Sequence, residues 1–177
     1  MSQWYGASER RLTQRLNQVC RRLCGASTIG EWELALRDGV QLFAEAFMLL
    51  RIEADWVAEV EGAREHGDPE LLPQRLADLP EVMDVMRSRN PVYVAAANSR
   101  LRTSQGFDAT RQLLLVPVSQ GADCRYVIVA SDPAHGTDPD GLELVATLAS
   151  LCLSSRSEWV EQEPQQQPPE ELIDLQP

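Results

Sequence analysis

Lysine is absent: all sixteen basic residues of the 177-residue chain are arginine. The simplest source of that imbalance is the base composition of a GC-rich genome. Long apolar runs are absent too, and none approaches the roughly 18 residues that a membrane span requires. The stretch 1–25 is studded with arginine and has no apolar centre of the signal-peptide kind. A membrane-spanning or secreted protein is not expected. Cysteine is sparse, at four residues (Cys20, Cys24, Cys124, Cys152), in a chain long enough to bury a core without disulfide staples, so a reducing, cytoplasmic setting is expected. Histidine is limited to His66 and His135, both in polar loop-like sequence and far from any cysteine. No local motif for a Cys–His dyad follows, and the chain is expected not to be an enzyme.

What is present is acid. The formal net charge is −11, which repels a phosphate backbone, so nucleic acid is not an expected partner. The charge is uneven. Residues 1–25 carry five arginines against Glu9, while 157–177 carry six acids and no arginine. From Glu161 the chain is rich in Pro and Gln, with too little apolar surface to offset the entropy of ordering it, and a disordered tail is expected. Three units follow: a basic amphipathic helix over 1–26, a domain over 27–160, and an acidic tail over 161–177.

The periodicity predicts elements in order. Leu12, Leu16, Val19, Cys20 and Leu23 form one helical stripe, with Ser8 as N-cap and Gly25 as terminator. Thr28 and Glu31 form a capping box opening a second helix whose apolar face runs Ile29, Trp32, Leu36, Val40, Phe43, Ala44 and Phe47. Met48–Ile52 and Trp56–Val60 read as a hairpin, and 62–74 as a loop. Leu76 to Met86 suggests helical turns, Val92–Ala96 a third strand, and Asn98–Gln112 an irregular segment. Leu113–Val118 and Arg125–Ser131 are a second hairpin, and Asp138 with Pro139 opens a closing helix up to Trp159. The fold class is α+β: a central antiparallel sheet of five to six strands, flanked as an α/β sandwich by N- and C-terminal helices.

Three segments carry a resemblance to the GAF domain, itself PAS-like in architecture. Val85-Met86-Arg87-Ser88-Arg89-Asn90-Pro91-Val92-Tyr93-Val94 resembles that family's helix end, basic turn and Pro-led third strand. Leu113-Leu114-Leu115-Val116-Pro117-Val118 resembles its Val-Pro strand, and Leu142 to Leu153 its closing helix. The resemblance covers 28–156. It departs where Cys124, Arg125 and Tyr126 stand in place of the family's frequent glycine, and where Ala95, Ala96 and Ala97 replace a frequent Asp. The Asn-Lys-x-Asp-Glu constellation of cyclic-nucleotide binders cannot occur without lysine, and no Cys adjoins a His as in bilin-binding members.

The resemblance implies that the segment after the third strand overlies a small-molecule pocket. Tyr93, Asn98, Arg102, Ser104 and Arg111 are the expected ligand contacts, with guanidiniums suited to an anion. A bland reading stands beside it, in which Arg100, Arg102 and Arg111 form weak surface pairs. Cofactor identity is unknown from sequence. Cys20 and Cys24 could contribute thiolates to zinc, but both Cys20 and Cys152 sit on apolar stripes, as small buried side chains do, and no metal is expected. Asp132, Asp138 and Asp140 do not have the spacing of a calcium loop.

The terminal helices are expected to form a homodimer through Leu12, Leu16, Val19 and Leu23 with Leu144, Leu148 and Leu151. Leu172, Ile173 and Leu175, set among acids, suit a peptide that docks in a protein partner's groove. The expected function is a non-enzymatic regulatory sensor or adaptor in bacterial-type signalling. The alternative is an interaction module whose pocket is filled by its own side chains.

Overall fold

The computed structural model describes residues 3–60, 73–101, 112–131 and 136–156, with side chains from Leu12 onward. The elements are α1 (Gln3–Gly25), α2 (Ile29–Val40), β1 (Phe47–Glu53), β2 (Trp56–Glu59), β3 (Gln74–Arg75), α3 (Pro80–Ser88), β4 (Val92–Ala95), β5 (Gln112–Gln120), β6 (Asp123–Ser131) and α4 (Pro139–Ser154). The six strands form one sheet in the order β3-β2-β1-β6-β5-β4, with every pairing antiparallel.

Local chemistry explains most boundaries. The Thr28 hydroxyl accepts from the Glu31 amide at 3.2 Å while the Glu31 carboxylate accepts from the Ser27 amide at 2.7 Å, so one orphan N–H of α2 and the amide just ahead of its cap are satisfied. Asp138 caps α4 from the Gly141 amide, with Pro139 in the first turn, where its missing N–H costs nothing. Gly121 turns the β5–β6 hairpin at φ 61°.

Pro117 lies inside β5, but β4 pairs only with Gln112 to Leu115, so the proline faces the stretch that β4 has left open. A register shift follows at Val118 and Ser119, and the Ser119 amide donates to the Ser150 hydroxyl of α4 at 2.9 Å.

Several boundaries differ from expectation. Ser8 lies inside α1, which begins at Gln3. Helix α2 ends at Val40, where tight turns set Leu42 onto the Gly39 carbonyl and Phe43 onto that of Val40, so Phe47 begins a strand. Gln74, expected in a loop, belongs with Arg75 to β3, a two-residue edge strand on β2. Helix α4 stops at Ser154.

The sheet is buried on both faces. One face carries Leu49, Leu114, Val116, Tyr126 and Ile128 beneath α1, α2 and α4. The other carries Met48, Leu50, Leu113, Leu115, Val127 and Val129 beneath α3. Both hairpin strands at the centre therefore read as near-continuous apolar runs. Helix α1 packs on this core: Val19 and Leu23 are buried in the first cluster, and Val19 comes within 2.9 Å of where a side chain on Gly39 would begin.

Candidate functional site

The expected ligand contacts do not converge among the described residues. Strand alternation puts Val92 and Val94 over the α3-side core, opposite Leu115 and Leu113. Tyr93, between them, pairs with Leu114, so it points to the face bearing α1, α2 and α4, half exposed at the sheet edge. Asn98 ends a short 3-10 turn (Ala96–Asn98) and is exposed. Arg102, Ser104 and Arg111 lie outside the described residues, as do His66, His135 and the tail residues Leu172, Ile173 and Leu175. Arg100 lies 3.7 Å from Asp78 in an exposed ion pair, in line with the surface-pair reading.

Directly beneath α3 the sheet is covered by the chain's own side chains. Leu79, Val82 and Val85 pack fully buried on Met48, Leu50, Leu113 and Leu115, and Leu101 joins the same cluster. A buried polar link ties the stretch 99–101 to α3. The Ser99 hydroxyl donates to the Glu81 carboxylate at 2.5 Å and accepts from the Leu101 amide at 3.1 Å. Glu81 sits in the first turn of α3, where the helix dipole favours its charge.

Two open clefts flank the β5–β6 hairpin. One, of about 360 Å³, lies between Ile52, Ala54, Met86, Asp123 and Arg125, and the other, of about 280 Å³, between Arg89, Ser119, Thr147, Ser150 and Ser154. Cys124 also lines the first beside Asp123, and its thiol donates to the Tyr126 carbonyl rather than to the carboxylate. Among the described residues no three His, Cys, Asp or Glu side chains are grouped to hold a metal ion. Nor is any described helix long and apolar enough to cross a membrane.

The opposite face holds a polar network that the sequence reading passed over. Glu33 of α2 is buried, accepts from the Tyr126 hydroxyl at 2.8 Å, and lies 3.4 Å from the Arg51 guanidinium, which also donates to Glu53 at 2.6 Å. The Trp32 and Tyr126 rings meet at 5.0 Å with a 46° tilt. Burial, and then the Glu33 charge and hydrogen bond, raise the Tyr126 hydroxyl well above the ordinary tyrosine value. The signal was present: Ile29, Glu33, Leu36 and Val40 recur at helical spacing, so Glu33 lies along an otherwise apolar stripe. Tyr126, Glu33, Arg51 and Glu53 are linked to one another, which makes the network a tie between α2 and the sheet.

The expected dimer residues separate into two groups. Val19 and Leu23 face the chain's own core and are unavailable to a partner, because α1 packs across α2 and α4. Leu144 and Leu151 are 44% and 64% exposed on α4, with Leu148 half-buried between them, Leu12 exposed and Leu16 half-buried on α1.

Cysteine also separates. Cys124 is buried on the α3 side, its thiol pushed up to about 11 by burial, and it donates to the Tyr126 carbonyl at 3.3 Å. Cys24 and Cys152 meet where α1 and α4 end, Sγ to Sγ at 2.8 Å.

No family model matches the chain, and no curated protein matches it. Solved structures do. The A. aeolicus nlh2 GAF domain in an inactive state is 12% identical, with 84% of this chain and 98% of that chain covered at a TM-score of 0.57. Residues 122 to 287 of a methyl-accepting chemotaxis protein are 17% identical, covering 80% and 97% at 0.59. The GAF domain of a two-component sensor histidine kinase from Bacillus halodurans is 8% identical, covering 73% and 94% at 0.52. The chain has the fold of a divergent GAF domain.

Proposed function

We propose that the chain is a non-enzymatic regulatory module of signalling, a GAF-fold sensor or adaptor that self-associates through α4. The exposed apolar stripe Leu144, Leu148 and Leu151 on the closing helix carries the reading, because a helix whose opposite face already fills a core has no internal use for three further leucines. Leu12 and Leu16 of α1 extend the apolar surface available to a second copy. The signalling role rests on the chemotaxis and sensor-kinase proteins named in similar structures, and the fold by itself hosts many functions.

A ligand, if the module senses one, is met by the segment after Leu101, with Arg102, Arg111 and Ser104 holding an anionic group. It acts by binding one arrangement of the terminal helices better than another, since equal affinity would shift nothing. The second reading, an interaction module with a filled pocket, is favoured by the packing of Leu79, Val82 and Val85 against the sheet. In that reading a protein partner takes the tail through Leu172, Ile173 and Leu175. Native mass spectrometry of protein purified from its own host distinguishes them. A dimer with reproducible added mass supports the sensor, a bare dimer supports the adaptor, and a bare monomer at tens of micromolar overturns self-association.

A further inference from the structure

We propose that Cys24 and Cys152 are a redox-active dithiol that closes into an intramolecular disulfide when Cys24 meets a hydroperoxide. The two sulfurs, separated by almost the whole length of the domain in sequence, lie 2.8 Å apart where α1 and α4 end side by side. Bonding distance is roughly 2 Å, so closure asks for less than about 1 Å of movement.

The backbone around both sulfurs is held. The Arg156 guanidinium donates to the Cys24 carbonyl, the Ser155 hydroxyl donates to the Cys152 carbonyl at 2.8 Å, and the Gln120 side-chain Nε2 donates to the Leu153 carbonyl at 3.3 Å. Access is asymmetric: Cys24 is exposed and Cys152 is buried behind it. Burial, with the hydrogen bond and charge of Cys24, pushes the Cys152 thiol up to about 12, so at neutral pH Cys152 rests as the thiol. Cys20, one turn earlier on α1, is half-buried, and Cys124 is in the other core.

The chemistry balances with a hydroperoxide as oxidant. The Cys24 thiolate attacks one peroxide oxygen, the O–O bond breaks, and with hydrogen peroxide the departing hydroxide leaves as water, giving the Cys24 sulfenic acid. Cys152 sulfur then attacks Cys24 Sγ; the S–S bond forms, the S–O bond breaks, and the hydroxyl leaves as water with the Cys152 proton. Two thiols lose two electrons and hydrogen peroxide becomes two waters. The inference is independent of self-association.

The arginine-only composition makes the test clean, because trypsin releases each cysteine in its own peptide: 16–21, 23–37, 112–125 and 126–156. The full chain is treated with hydrogen peroxide, alkylated and mapped without reduction. Expected are a monomer lighter by about 2 Da, peptide 23–37 joined to 126–156, and recovery of the original mass with dithiothreitol. The Cys20→Ser variant keeps the link and Cys24→Ser, at an exposed position, loses it while retaining the wild-type circular dichroism spectrum. A link between 16–21 and 23–37, a cross-link between chains, or oxygen addition without the 2 Da loss would overturn the proposal.

Discussion

Replacing Leu144 and Leu151 together by glutamate tests the α4 surface directly. Full burial of a leucine is worth about 2 kcal/mol. With 64% of Leu151 and 44% of Leu144 still exposed, covering them yields about 1.3 and 0.9 kcal/mol per protomer. A two-fold interface uses each twice, so the variant loses about 4 kcal/mol of dimer stability, roughly a thousandfold in Kd. Facing glutamates add repulsion to that loss. Sedimentation velocity over a concentration series reads the constant, and thermal melting of the variant monomer serves as control. Because both side chains are exposed in the protomer, that monomer keeps its fold. A variant with the wild-type Kd, or a wild type that never associates, refutes the reasoning. Leu23→Glu is the contrasting case: it places an acid in the protomer's own core and unfolds the chain rather than splitting a pair.

Tyr126→Phe removes the hydrogen bond to the buried Glu33 and costs about 2 kcal/mol, a fall of about 4–8 °C in Tm. In alkaline titration the same hydroxyl stays protonated in the folded state. Its folded value is raised, so its contribution to stability is complete below about pH 10 and is lost as the pH climbs above the ordinary tyrosine value. Absorbance at the tyrosinate band between about pH 9 and 11 is then equal in wild type and Tyr126→Phe while both remain folded, and a larger wild-type rise would show that the hydroxyl is not shielded. Gly141→Ala sets a new carbon 2.1 Å from the Phe43 ring, so the ring must leave its site, at about 1–3 kcal/mol. Chemical denaturation of Gly141→Ala with and without Phe43→Leu checks this, since the second change recovers part of the loss only if the clash is its cause.

Features encoded within a few residues were legible. The Thr28 and Asp138 caps, the β5–β6 hairpin and the stripe of α4 each depend on neighbours in sequence, and each stands where its residues predict. The alternation of β4 was legible too, because Val92 and Val94 on either side of Tyr93 claim the core face. Other features were beyond local reading. Strand β3 exists because the Leu76 amide reaches the Asp55 carbonyl across a chain reversal, and nothing in Gln74-Arg75 announces a strand. Glu33 meets Tyr126, and Cys24 meets Cys152, through tertiary packing alone. Val19 and Leu23 carried a true apolar signal, but periodicity reports burial without saying whether the chain or a partner supplies the cover.

The position of β1 beside β6 at the centre of the sheet has a consequence for biosynthesis. Leu49 finds its partner only when Ile128 has been made, and α1 and α2 have no complete surface to rest on until α4 follows. The β1–β2 and β5–β6 hairpins close over short loops, whereas their docking closes a loop of most of the domain, and that step governs the folding rate. During translation the nascent β1 edge stays unpaired beside an apolar face. Production of this domain is therefore most sensitive to conditions during emergence of its middle third, when a chaperone or a slowed, cooler synthesis protects an edge that the finished molecule hides in its centre.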